Sequence, residues 1–534
     1  MTSKKSLLNY RYMTVSFLLI GFLLLIYGNS LWQLLHYQQI DDWLSVINDP
    51  YVHHILLFSF YQAFLSAILS VGLGLLVAHA LFYQHFIGKT FLLKWFSLTM
   101  VLPVLVAIFG LLGVYGSAGW VVRLFVRLGV DWPVNIYGLS GILLAHIFFN
   151  LPLAVKIFLN GLHAIPNQQR QLAAQLGILN GHFIRLLEWR YLRRHILPTL
   201  ALVFMLCFTS FTIVLTLGGG PKYTTLEVAI YQAIVFDFEL GKAAVLALLQ
   251  FVFCFILFQL SSYFTYHTPT ATSVGQAYRL PLSAGINRLQ RGILLVVVLF
   301  MFLPLLSILI SSLDLSAWQA SLSNRQLYRA LAYSLTIAPL AGLLCVLMAA
   351  ILLLSARQLH WRGQDNRSNH IINTGMMILA VPTLVLAVGL FLLLRQFNVT
   401  TPYLFAIVVL CNALMAMPFA LRILTVPFYH NMTYYEKLCQ SLGVRGLTRL
   451  RLIEWQSLKQ PIRRTFALAT ALSLGDFTVI ALFGNENFTS LPRLLYQQLG
   501  NYRSQEAAVS AFILLLLCAL IFYLLEDVSD DYTG

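Results

Sequence analysis

The chain has 534 residues, of which 59% are hydrophobic and only 10% charged, and its mean hydropathy is +0.79. Soluble domains carry roughly 25% charged residues, so a soluble globular protein is excluded, and runs far longer than the ~10-residue alternating strands of a membrane barrel exclude that class too. The net charge of +15 would suit a nucleic-acid binder, but membrane topology accounts for it and no nucleic-acid partner is expected.

Runs exceeding the ~18 apolar residues that mark a spanning helix recur along the chain. The predicted fold is an all-α polytopic membrane protein with about twelve spans, at 13–35, 54–84, 95–117, 136–162, 197–218, 243–266, 289–312, 330–356, 371–394, 403–427, 465–485 and 507–525. The first run follows Lys4, Lys5 and Arg11 as a signal peptide would. It is longer than a typical signal core and has no small-x-small cleavage site, so it reads as a retained span. With the N-terminus in the cytoplasm, most Lys and Arg fall inside, among them Lys89, Arg193, Arg194, Arg357, Arg463 and Arg464. The first outside loop holds Asp41, Asp42 and Asp49 and no Lys or Arg, as the positive-inside rule requires. Both termini are then cytoplasmic.

Gly88-Lys89-Thr90 ends like a phosphate-binding loop, but Tyr83 stands where that motif needs glycine. It reads as a short inside loop. Gly218-Gly219-Gly220-Pro221 follows a span on the outer side and reads as a boundary turn. His53, His54 and His146 have no carboxylate or Cys at ligand spacing, and the six cysteines form no CxxC, so neither a metal site nor a disulfide framework is expected. No cofactor is expected. Asp476 is the one acidic residue deep in a predicted span, and Ser210 is its counterpart. A carboxylate inside a membrane is costly and is a functional candidate by default; bonding to a neighbouring helix is the alternative.

An internal repeat organises the chain. Residues 171–196 (QLAAQLGILNGHFIRLLEWRYLRRHI) align without a gap on residues 437–462 (KLCQSLGVRGLTRLRLIEWQSLKQPI) at an offset of 266. Leu176 matches Leu442, Gly177 matches Gly443, and Glu188-Trp189 matches Glu454-Trp455. At the same offset Pro152 matches Pro418, Lys156 matches Arg422, Phe211 matches Phe477 and Gly218 matches Gly484. With small shifts Pro103 matches Pro382, and Tyr231-Gln232 matches Tyr496-Gln497. The expected organisation is a first half over 1–266, a polar cytoplasmic linker over 267–288 containing Pro269, Ser273, Pro281 and Ser283, and a second half over 289–534. Six spans in each half make the repeat parallel. The acidic tail from Glu526 to Asp531 reads as a frayed end.

Each half carries one polar, basic loop between its fourth and fifth spans, about 163–196 and 429–464. The spacing predicts a short helix over Gln168–Leu176 with Asn167 as N-cap, stopped at Gly177 in left-handed geometry, and then a second helix. Glu188 and Glu454 are expected to pair with Arg185 and Arg451 at (i, i+3) spacing. A helix–glycine–helix knob suits a cleft in a partner protein. An interfacial helix held by anionic lipids is the alternative, and duplication at matching positions favours the partner.

These loops resemble the Glu-Ala-Ala loop of importer-type ABC permeases. The Glu-Ala-Ala positions are Gln171-Leu172-Ala173 and Lys437-Leu438-Cys439, the Leu-Gly core is Leu176-Gly177 and Leu442-Gly443, and the usual closing proline is replaced by Arg190 or Gln456. Two fused halves of this length resemble the ferric-iron and thiamine branch of that family. The match to the thiamine and thiamine pyrophosphate permeases runs through FYQAFLSAILSV, GILLAHIFFNLPLA, QRQLAAQLG, LTLGGGP, LCQSLG, LSLGDF and ALFGN. The resemblance implies the type I importer permease fold in the bacterial inner membrane and no catalytic residues of its own. It implies two copies of an ATP-binding subunit docked on the loops, a periplasmic thiamine-binding protein, and alternating access for a small-molecule substrate. A cationic substrate makes Asp476 a candidate counter-ion, with Ser210, Phe211 and Phe477 as candidate pathway residues. A ferric-iron permease and a secondary transporter are the rival readings. The first would favour carboxylate, Tyr or His clusters, and the second would need coupling carboxylates in both halves.

Overall fold

The computed structural model describes residues 10–130, 135–178, 180–264, 278, 283–397, 400–444 and 446–525. Lys4 and Lys5, nearly all of the polar linker and the acidic tail lie outside them. Every element of secondary structure among the described residues is helical, as apolar surroundings demand when no water is present to satisfy the backbone. In the first repeat the helices used below are α1 (Tyr10–Tyr37), α2 (Pro50–Tyr83), α3 (Val104–Tyr115), α4 (Leu139–His163), α5 (Asn167–Gln175), α6 (Trp189–Phe208), α7 (Phe211–Leu217) and α8 (Leu240–Phe264). In the second they are α9 (Ala284–Ser311), α10 (Arg325–Trp361), α11 (Thr383–Leu394), α12 (Thr401–Ser441), α13 (Trp455–Gly475), α14 (Thr478–Phe483) and α15 (Ser504–Leu525).

The chain is an all-α polytopic membrane protein. Among the described residues, 11 helices are long and apolar enough to cross a membrane, one fewer than the twelve continuous spans expected. The difference lies at 371–394. There the helix Asp365–Gly375 ends, a 3-10 turn follows at Met377–Leu379, and α11 starts only at Thr383, too short to count. Pro382 causes the break, because it lacks an N–H and pushes the preceding residue out of helical geometry. Pro103 breaks the equivalent predicted span in the same way, between the helix Lys89–Thr99 and α3. By contrast Pro152 and Pro418 sit inside α4 and α12.

The chain packs as two compact units. One holds Asp49–Ala229 and Ile256–Leu315; the other holds the described residues of Met1–Asn48, Ile230–Phe255 and Ser316–Val528. The repeat boundary and the packing boundary are therefore different lines through the chain. In the first unit α9, from the second repeat, packs on α3 and α2. In the second unit α1, from the first repeat, packs on α11 and α10. The same small residue permits both contacts. A Cβ on Gly110 of α3 would lie 2.5 Å from the Pro304 carbonyl oxygen of α9, and one on Gly389 of α11 would lie 2.5 Å from the Ser30 carbonyl oxygen of α1. Both glycines stand at the same place after Pro103 and Pro382, and any larger residue there would push the incoming helix away.

The units share a second device. The N–H of Leu226, at the start of a short helix, donates to Ser59 Oγ of α2 at 2.9 Å. The N–H of Leu491, at the equivalent start, donates to Ser334 Oγ of α10 at 2.8 Å. This pair sets the alignment of α2 with α10.

Candidate functional site

The two polar loops begin differently. In the first repeat Pro166 ends α4 and opens α5, whereas Met432 occupies that place in the second repeat and α12 runs on unbroken to Ser441. Pro166 itself takes the N-cap position. The expected cap, Asn167, instead uses its side-chain oxygen to accept the N–H of Tyr278 at 2.9 Å. Pro166 fixes φ one residue earlier, so Asn167 is the first helical residue and not the residue that precedes the helix.

The turns then converge. Gly177 and Gly443 both adopt φ of 66°, the left-handed geometry expected from the sequence. The N–H of Ile178 donates to the Ala173 carbonyl at 3.0 Å, and the N–H of Val444 to the Cys439 carbonyl at 3.0 Å. These are the closing bonds of a Schellman turn. No atom lies within 4 Å of the Cβ position of either glycine, so backbone geometry alone demands glycine here.

Side chains in the two copies share one burial pattern. Gln171 and Lys437 are exposed, Leu172 and Leu438 are exposed, and Ala173 and Cys439 are buried. Leu176 is 67% exposed and Leu442 64%. Past the turn, Leu186 is 60% exposed and Leu452 62%, and Trp189 and Trp455 are exposed as well. Ala173 packs on buried Phe183, with Ala174, Ile178 and Leu187 around them. The first loop is thus a small packed body, and both loops present leucines outward.

Glu188 and Glu454 depart from the sequence expectation. Each ends a π turn, Ile184–Glu188 or Leu450–Glu454, closed by the N–H of Trp189 to Ile184 O or of Trp455 to Leu450 O. The extra residue per turn shifts the side-chain phase. As a result the carboxylates turn inward while Arg185 and Arg451 stay exposed, and the expected (i, i+3) pairs are replaced by longer-range ones. Glu188 lies 3.2 Å from Arg170 Nη1 and 3.2 Å from His79 Nε2, and it accepts the Tyr83 hydroxyl at 2.5 Å. Arg170 also donates to the Leu162 carbonyl at 3.0 Å and lies over the rings of Phe82 and Phe183. Glu454 accepts Arg357 Nη2 at 3.0 Å and Arg449 Nε at 2.6 Å. Arg449 in turn pairs with Glu436, and Arg357 lies over the Phe428 ring. The partners on the spans were not legible in the sequence, since His79 and Arg357 lie about a hundred residues away.

At the membrane-embedded position, Asp476 and Ser210 both sit at helix breaks, between α13 and α14 and between α6 and α7. The Asp476 carboxylate accepts the N–H groups of Thr478 and Val479 at 3.3 Å each. With the Asn412 amide turned to suit its neighbours, Asn412 donates to Asp476 at 3.1 Å and accepts from Ser473 Oγ at 2.9 Å. In the first repeat the equivalent places hold His146 and Cys207. His146 Nδ1 shares a hydrogen bond with Ser66 Oγ at 2.8 Å, and Asn150 donates to Cys207 Sγ at 3.3 Å. Phe211 and Phe477 are buried, and Phe477 packs on Tyr496 with ring centroids 4.8 Å apart. Lys89 Nζ donates to the Gln84 carbonyl at 3.2 Å. Among the described residues no three His, Cys, Asp or Glu side chains are close enough to hold a metal ion.

The sequence profile of the "Binding-protein-dependent transport system inner membrane component" family matches residues 70–266 and 366–531, one stretch in each repeat. The chain is 55% identical to the thiamine transport system permease protein ThiP of Haemophilus influenzae, over 96% of this chain and 95% of that protein. It is 47% identical to the protein of the same name from Escherichia coli, over 91% of each, and 39% identical to that of Brucella abortus, over 90% and 88%. Its repeated helix–glycine–helix loops, its spans and these matches over nearly its whole length place the chain in the family of binding-protein-dependent transport system inner membrane components.

Proposed function

We propose that this chain is the membrane-spanning permease of an ATP-driven importer for thiamine and its phosphate esters. Two observations support the reading: relatives matched over nine-tenths of the chain are thiamine permeases, and one loop with one burial pattern occurs twice. Two equivalent surfaces, Leu172 and Leu176 on one and Leu438 and Leu442 on the other, fit the clefts of two copies of a separate ATP-binding subunit. That subunit hydrolyses ATP, and a periplasmic thiamine-binding protein delivers substrate to the outer face. The loops and both termini lie on the cytoplasmic side of a bacterial inner membrane, a reading that the Lys and Arg distribution supports. Closure of the ATP-binding pair would drive alternating access. The test is uptake of labelled thiamine by proteoliposomes holding the chain, the ATP-binding subunit and the binding protein. Uptake that needs ATP and is displaced by thiamine pyrophosphate, but not by ferric citrate, is expected. Absence of thiamine uptake with ferric uptake intact would replace this reading with the iron permease.

Asp476 allows a second measurement in the same vesicles. Its carboxylate accepts the N–H groups of the first two residues of α14, and an asparagine side-chain oxygen can accept the same bonds. Asp476→Asn is therefore expected to lower thiamine and thiamine pyrophosphate uptake together, by no more than about threefold, and Asp476→Ala to cost about 1 kcal/mol of stability. Selective loss of thiamine, the substrate with net positive charge, would instead make Asp476 a counter-ion in the pathway.

A further inference from the structure

Glu188 and Glu454 are the only pair of acids that the two loops hold in common within their aligned segments, and each is buried, 0% and 1% exposed. Their surroundings are not shared. Arg170 in the first copy becomes Glu436 in the second, and Phe183 becomes Arg449. Arg357 stands as far along α10 from Ser334 as Phe82 stands along α2 from Ser59. Three positions around the carboxylate thus exchange as a set. In the first unit one guanidinium faces one carboxylate, Arg170 against Glu188. In the second, two face two: Arg357 and Arg449 against Glu454 and Glu436. The balance is kept although every partner differs.

A buried ion pair is a poor way to gain stability, because desolvation offsets the attraction, and an apolar set of the same volume is often as good. Duplication with complete replacement of the partners should then have let the carboxylate go in one copy. It remains in both, in the same π turn, and in both it reaches the end of the long span of its own unit: Tyr83 and His79 of α2, or Arg357 of α10. The other partner in each case belongs to the loop itself, Arg170 of α5 or Arg449 of the segment after the glycine turn.

We propose that Glu188 and Glu454 are positioning residues that lock each loop to the end of α2 or α10, so that displacement of the loop is passed to the span. The inference rests on the reading that an ATP-binding subunit docks on these loops. Without the lock, the open glycine turns at 177 and 443 absorb the displacement. ATP is then still hydrolysed, but less of the motion reaches the spans. Charge deletion at the node therefore acts on the ratio of transport to hydrolysis, which a purely structural role would leave unchanged in the complexes that assemble.

The experiment measures thiamine transported per ATP hydrolysed, by the full complex with its binding protein in proteoliposomes. Glu188→Gln and Glu454→Gln keep size and hydrogen-bonding capacity and remove the charge. In the complexes that assemble, each is expected to lower the ratio about tenfold, within the range by which coupling networks are tuned by single substitutions, while hydrolysis per assembled complex stays near the unmodified rate. Tyr83→Phe removes only the 2.5 Å hydroxyl contact and leaves every charge in place. It should lower the ratio about threefold, and it decides the matter by the same criterion if Glu188→Gln yields too little complex. An unchanged ratio in Tyr83→Phe and in whichever glutamine variants assemble would overturn the proposal. Capture of the ATP-binding subunit by the unmodified chain is scored in parallel, so failure of the docking reading is told apart from failure of the lock.

Discussion

Valine at both Gly177 and Gly443 is expected to reduce ATP-driven uptake to less than about a tenth while leaving the chain in the membrane, because the strain falls on two exposed turns. Both glycines sit at φ of 66°, where an L-residue pays about 1–2 kcal/mol and a β-branched one more. No atom lies within 4 Å of either Cβ position, so there is no clash to confuse the result, and the whole effect comes through the backbone. The prediction therefore has an order. Asparagine, which tolerates this region, should cost least, alanine more, and valine most. The relaxed turn would re-aim Leu172 and Leu176, or Leu438 and Leu442, away from the partner's cleft. Uptake and ATPase assays on the graded series decide it. Equal activity of the valine and asparagine double variants would show that the turns do not shape the docking surface.

Single exchanges in the buried charge set of the second unit are expected to be the most destabilising changes in the protein, and the combined exchange to be tolerated. Glu436→Arg alone leaves three guanidiniums, those of residues 357, 449 and 436, around the one carboxylate of Glu454, and breaking such a buried balance costs about 3–5 kcal/mol. Arg449→Phe alone strips Glu454 and Glu436 of their shared cation and should be comparable. Arg357→Phe, Glu436→Arg and Arg449→Phe together rebuild the pattern found in the first unit, with one cation held between two rings against one carboxylate. Expected recovery is to within about 2 kcal/mol of the unmodified chain. It is incomplete because Leu354 and Gln358 stand where the first unit has His79 and Tyr83. Thermal melting in detergent of the three singles and the triple is the measurement. Additive losses in the triple would mean that the sites do not act as one set.

Several features are legible in the sequence. The π turn is not, and it is what decides the environment of Glu188. The (i, i+3) spacing to Arg185 is a sound expectation for a regular helix, and one inserted residue in the turn turns the carboxylate inward. Asn167 failed as a cap for a local reason, since Pro166 had already fixed the helix start. The glycine turns succeeded because a left-handed residue after a short helix is encoded by that residue alone. The break at Pro382 was encoded equally locally, but averaging hydropathy over 371–394 concealed it behind an apolar window.

By itself the sequence determined the membrane class, the repeated segments, the two polar loops and their glycine turns. These depend on composition, on periodicity and on residues adjacent in the chain, all of which act over a few turns of helix. Only the tertiary structure decided that α9 packs in the first unit and α1 in the second. That outcome depends on whether two helices distant in sequence can approach at Gly110 and Gly389, and no local pattern carries that information. The same holds for the partners of the buried carboxylates. Glu188 and Glu454 are visible as a repeated letter, but a charge takes its role from what surrounds it after desolvation. Here part of the surroundings comes from the ends of α2 and α10, about a hundred residues away.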